Sequence, residues 1–262
     1  MRLIAFVLAM AMAMAIAAPA MAQQQMVDPD FRPVVSIPAF LARDPAGLAL
    51  EPPLVIIDGA HSNFHTFDGR YAPFAALLRA DGYQVRGGTE AFDAAALEGV
   101  GVLVIANAGP SNGGSAFTEA EMTAVEGWVR RGGRLLLIAD HAPFGVAAAD
   151  LAARFGVGMG QGWTFEPADN ENGLSSQLTY SGGERLGDHP ITRGRDAGEA
   201  VASVTAFTGQ SLIPPEGAAV LMRLGPQAWE AATPQDAPAV LEAMRTGRSD
   251  NPAVHSAAGR AQ

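Results

Sequence analysis

Four of the chain's five histidines lie in short Asp/His motifs, and two of these motifs follow apolar runs of the kind that form buried strands. Leu54-Val55-Ile56-Ile57 leads into Asp58-Gly59-Ala60-His61-Ser62-Asn63-Phe64-His65. Leu135-Leu136-Leu137-Ile138 leads into Ala139-Asp140-His141-Ala142-Pro143, and Asp188-His189-Pro190-Ile191 is a third motif. Residues just beyond the carboxyl ends of parallel strands line the ligand crevice of open α/β sheets. Ionised Asp and neutral His together offer acceptors and donors, which suits hydroxyl-rich ligands. Asp58, His61, Asn107 and His189 are therefore candidate ligand-binding residues, and Asp140 and His141 a candidate catalytic pair.

The same residues also fit metal chemistry. His61 and His65 share a face if their segment turns helically. With His141, and His189 arriving from elsewhere, they make a candidate ligand set for a divalent metal with a position left for water. The competing reading is that the Asp residues cap turns while the histidines bond to loop backbone. Other chemistries find less support. There is no G-x-S-x-G elbow, and a paired-carboxylate glycosidase would rest on Asp58 and Asp140. The loop Asn107-Ala108-Gly109-Pro110-Ser111-Asn112-Gly113-Gly114-Ser115 lacks the lysine of a phosphate-binding loop. Lysine is absent from the chain, which excludes Schiff-base chemistry, and absent cysteine excludes disulfides, a thiol nucleophile and a lipoprotein anchor. The formal charge of −10 repels nucleic acid and anionic lipid.

The elements that must position these residues alternate along the chain. After the strand at 54–57 comes an amphipathic helix over Tyr71–Asp81, then a short strand at Tyr83–Arg86 and a buried strand at Val100–Ala106. Thr118-x-x-Glu121 is a capping box that opens the next helix, Gly132-Gly133 ends it, and Arg134–Ala139 is a fourth strand before a helix from about Val146 to Phe155. Continuous apolar strands alternating with helices imply a parallel sheet covered on both faces, an α/β doubly wound fold. Residues 1–22 read as a secretory signal peptide: Arg2, an apolar run over Leu3–Ala17, and the Ala20-Met21-Ala22 cleavage site. Residues 23–53 are a linker or lead-in, 54–224 the α/β domain, and 225–262 an unpatterned, disordered or truncated tail. Gly156 to Gly187 reads as an irregular excursion, with further strands at Val201–Thr208 and Ala218–Leu224.

Several phrases carry a family resemblance: IDGAHSNFHTFDGRYAPFAALLRADGYQV, WVRRGGRLLLIADHAPFG, DHPITRG and VTAFTGQSL. Together, over roughly residues 52–213, they resemble an uncharacterised group of exported bacterial proteins with a class I glutamine amidotransferase-like, flavodoxin-like domain. The HPI-x-x-G turn is similar to one in ThuA-like proteins. Amidotransferases of this class put a nucleophilic Cys on a tight strand-to-helix turn; here Ile138 to Pro143 holds that place without a thiol, so glutaminase activity is not expected. The chain also ends without the family's further strand and Gly-Glu-Ala-like turn. The expectation is a periplasmic or secreted domain, with no membrane anchor after signal cleavage, that binds a small polar molecule such as a carbohydrate. A metal-dependent hydrolase is the alternative, and a domain used only for protein contacts a third.

Overall fold

The computed structural model describes residues 52–262. The expected signal peptide and nearly all of the lead-in lie outside the described residues. Four strands form a parallel sheet: β1 (Leu54–Asp58), β2 (Gln84–Gly88), β3 (Val100–Ala106) and β4 (Arg134–Ile138), in the order β2-β1-β3-β4. β1 and β3 are central, which is why both are apolar on successive residues rather than alternating. Val55, Ile57 and Val104 pack under helix α1 (Ala72–Ala80) through Ala75, Phe74 and Leu78. Ile56, Leu103 and Ile105 point the other way, against Met122, Val125 and Trp128 of α2 (Glu119–Arg130) and Leu151 of α3 (Phe144–Ala153). Helices thus cover both faces. The chain leaves β1 for one side and returns to β3 on the other, so a crevice is expected between their exit loops.

The local signals that set these elements are the ones their residues carry. Gly82 takes φ 95° to end α1. The capping box forms as expected: Thr118 Oγ1 accepts from Glu121 N at 3.3 Å and Glu121 Oε2 accepts from Thr118 N at 2.8 Å.

Beyond α3 the fold departs from the sequence reading. The excursion at 156–187 is largely built into antiparallel structure: β5 (Gly158–Met159), β6 (Trp163–Pro167), β7 (Leu174–Ser175) and β8 (Gln177–Ser181). β9 (Ser203–Phe207) forms, but it pairs antiparallel with β8 and does not extend the parallel sheet. In β8 burial alternates, with Leu178 and Tyr180 inward, as a strand solvated on one face requires. Ala218–Leu224 is not a strand; its β-pairing is limited to isolated bridges from Met222 to Leu186 and from Arg223 to Ala261. Between β8 and β9 lie two single-turn helices, α4 (Gly182–Arg185) and α5 (Pro190–Arg193).

The segment 225–262 is folded rather than unpatterned. After β10 (Leu212–Ile213) it supplies β11 (Trp229–Ala231), α6 (Ala237–Thr246) and β12 (Val254–Ser256). These complete a sheet ordered β12-β11-β6-β7, whose core joins Phe165 and Trp229 to Val240, Ala243 and Val254. The α6 face buries Val240 and Ala243, with Met244 packed beside them. No helix among the described residues is long and apolar enough to cross a membrane.

Candidate functional site

The loop leaving β1 is nailed down by a buried charge cluster. Asp58, fully buried at the strand end, meets His61 Nδ1 with both carboxylate oxygens, at 3.0 and 2.9 Å. His61 Nε2 reaches Glu121 Oε1 at 2.8 Å, and the ring lies between Phe92 and Phe117 with centroids 4.5 and 4.8 Å away. Glu121 therefore serves twice. One oxygen caps α2, and the other binds His61 and accepts from Phe92 N at 3.2 Å. Burial alone would lower the His61 pKa, but its bonds and charge contacts with Asp58 and Glu121 outweigh it and hold the ring above 6.5. Burial likewise opposes ionisation of Glu121, yet His61 and the Thr118 and Phe92 bonds pull it down to about 2.

A separate cleft of about 450 Å³ opens at the ends of β3 and β4. Asn107 forms its knot. It is buried with φ 49°, a left-handed conformation that Asn tolerates better than most residues. Its N–H donates to Ile138 O at 2.9 Å, its carbonyl accepts from Phe64 N at 2.9 Å, and its Oδ1 accepts from Asp140 N at 2.8 Å. The exits of β1, β3 and β4 are so tied together.

Asp140 lines this cleft with its side chain about one-third exposed, at 32%. Its Oδ1 accepts from His141 N at 2.9 Å and from Thr208 Oγ1 at 2.8 Å. Its Oδ2 has His141 Nε2 at 3.9 Å, beyond hydrogen-bonding distance. Thr208 holds φ 80°, an uncommon and costly conformation for a β-branched residue, of the kind concentrated at functional sites. Gln210, oriented by its bonding network, donates its amide to the carbonyls of Gly160 at 2.6 Å and Asp140 at 3.1 Å. Next to it, Ser211 N donates to buried Glu230 Oε2 at 2.7 Å, while Glu230 Oε1 accepts from Gln161 N and Gly162 N at 3.0 and 3.1 Å. Glu230 packs so closely that a Cβ at Gly160 would sit 2.5 Å from Oε2.

Aromatic groups make the walls. His65 stacks on Tyr71 at 4.9 Å and 11°, and Phe207 lines the cleft while 63% exposed. Burial, then the charge of Arg70, lower the His65 pKa below 6.5, with Asp140 pulling the other way. Burial and then Asp140 raise that of Tyr71 above 10. Both rings thus feel the Asp140 charge, and at neutral pH neither offsets it.

The family described as Domain of unknown function (DUF4350) matches residues 71–252, well over half of the chain. The chain belongs to the DUF4350 family. A search of curated proteins finds no match. Among solved structures, the mmIFT52 N-terminal domain is 14% identical with a TM-score of 0.52, covering 65% of this chain and 72% of that one, a likeness of fold. A ThuA-like protein from Bacteroides uniformis is 18% identical over 70% of this chain and 73% of its own, with a TM-score of 0.38.

The DUF4350 match contains Tyr71, Asn107, Asp140 and Thr208 and begins after Asp58, His61 and His65. Of the residues singled out by sequence, Asn107, Asp140 and His65 line the cleft. His141 flanks it, stacked on Trp163 at 3.5 Å with Nδ1 2.6 Å from Ala142 O. Asp58 and His61 do not line it; both His61 ring nitrogens are consumed by carboxylates. His189 also lies elsewhere, capping α5 by accepting from Ile191 N at 3.2 Å. His61, His65 and His141 do not assemble into a metal-holding group; among the described residues no cluster of three or more His, Asp or Glu does so. Thr208, Gln210 and Glu230 escaped sequence reasoning. The only pointer to the first two was the VTAFTGQSL phrase.

Proposed function

We propose that the Asp140 cleft binds a small, hydroxyl-rich polar ligand, a carbohydrate ring being the best match. In this reading the frame is amidotransferase-like and flavodoxin-like, exported, and without a thiol nucleophile. The four-stranded order β2-β1-β3-β4 supports the flavodoxin-like part, because that order opens its crevice beside β1 and β3. The observation that carries the proposal is the Asp140 carboxylate: one oxygen is fixed by Thr208 and His141, and the other is left open in the cleft. The cleft volume suits small molecules, whose sites run from roughly 300 to 1,000 Å³. Tyr71 and Phe207 offer faces for a ring, and Asp140 offers an acceptor for hydroxyls. The acidic chain disfavours nucleic acid and anionic lipid as partners.

Isothermal titration with a panel of mono- and disaccharides tests this. The expected result is saturable binding that weakens at least tenfold in Asp140→Ala and in Tyr71→Ala, with both variants folded. A folded wild-type protein that binds no member of the panel contradicts the proposal.

A further inference from the structure

The charge balance of the cleft narrows the ligand class. Among the described residues, Asp140 is the single charged side chain lining it, and no arginine lines it. The nearest arginine along the β1 exit loop, Arg70, lies over the Phe64 ring at 4.8 Å instead. His141 approaches Asp140 Oδ2 at 3.9 Å, but its Nδ1 is turned to Ala142 O and its ring is held flat against Trp163. His65, half-buried, has its pKa lowered first by burial and then by the Arg70 charge, both of which disfavour a positive ring. The result is a carboxylate with one unbonded oxygen in a cleft lined by aromatic, apolar and neutral polar residues, with no cationic side chain bonded to it. A partly desolvated charge is costly unless paired.

We infer that the ligand supplies the missing charge: the cleft selects a ring bearing a protonated amine, such as an amino sugar, over neutral or acidic rings of the same shape. The inference rests on the ligand-binding reading above. The ammonium group would bond to Asp140 Oδ2, and the exposed Phe207 ring would add cation–π attraction. A neutral hydroxyl in the same place can bond to the carboxylate but leaves its charge unbalanced. An acidic ring meets like-charge repulsion, which an interface uses to reject wrong partners. The net charge of −10 reinforces this preference at longer range.

The test is titration calorimetry of the purified protein at pH 7 with glucosamine, glucose and glucuronate, repeated in Asp140→Asn. The expected result is glucosamine bound at least tenfold more tightly than glucose, with glucuronate weakest. In Asp140→Asn the glucosamine advantage over glucose should vanish while the unfolding midpoint is kept. Rising salt should weaken glucosamine and leave glucose unaffected. Equal affinity for glucosamine and glucose overturns the inference and leaves the binding proposal standing. No binding of glucosamine overturns the inference, and no binding of any sugar of the wider panel overturns both.

Discussion

Asp58 ends one parallel strand and Asp140 lies just beyond another, each with a histidine close behind, but their surroundings send them to opposite tasks. Asp58 is sealed from solvent, with His61 clamped between it and Glu121 and flanked by Phe92 and Phe117. Asp140 keeps one oxygen unbonded in an open cleft, and its histidine is turned aside onto Trp163. A buried ion pair with every polar atom engaged fixes structure and has nothing left for a ligand. A carboxylate with one oxygen anchored and the other open is positioned and still available. The difference lies in what the rest of the fold brings up to each motif.

The largest expected effect is at the locked site. His61→Ala strands Asp58 and Glu121 as buried, like-charged carboxylates, and should cost about 3–5 kcal/mol in urea unfolding. A loss below 1 kcal/mol would break the contrast. Glu230→Ala comes next. It leaves the N–H groups of Gln161, Gly162 and Ser211 without their acceptor and should cost about 3 kcal/mol. Because Ser211 adjoins Gln210, ligand affinity should fall with it, joining stability and binding in a single variant.

The pH dependence of stability sharpens the comparison further. His61 has a raised pKa, so its contribution is complete below 6.5 and is lost as pH rises through its folded value. Glu121 is held at about 2 against an ordinary 4.5, so its contribution is complete above 4.5 and is lost as pH falls towards 2. The contribution of the cluster should therefore be greatest between pH 4.5 and 6.5, measured as the urea midpoint across the pH range. The smallest stability effect belongs to Asp140→Asn, expected within about 1 kcal/mol of wild type, because its side chain is about one-third exposed and Asn retains an acceptor for Thr208.

The parallel sheet was legible because β1, β3 and β4 are continuous or nearly continuous apolar runs, and Thr118 and Glu121 announced α2 by a local rule. The antiparallel half was not. β9 forms against β8, and that pairing depends on the alternation of Leu178 and Tyr180 inside a Gly- and Ser-rich stretch. Asn107 and Asp140 were legible as site residues from their place after strands. The separate fates of Asp58 and Asp140 were not, because His61 is claimed by Glu121 sixty residues away and Asp140 by Thr208 sixty-eight away. Such partners are set by tertiary packing, which no local spacing encodes.

The most direct test is a ¹⁵N-resolved NMR titration of the labelled protein with glucose and then glucosamine. The account predicts amide shifts concentrated at Asn107, Asp140, Thr208, Gly209 and Gln210, with those of His61, Phe92 and Glu121 unmoved. Shifts centred on His61, or a cleft unmoved by both sugars at saturating concentration, would contradict it.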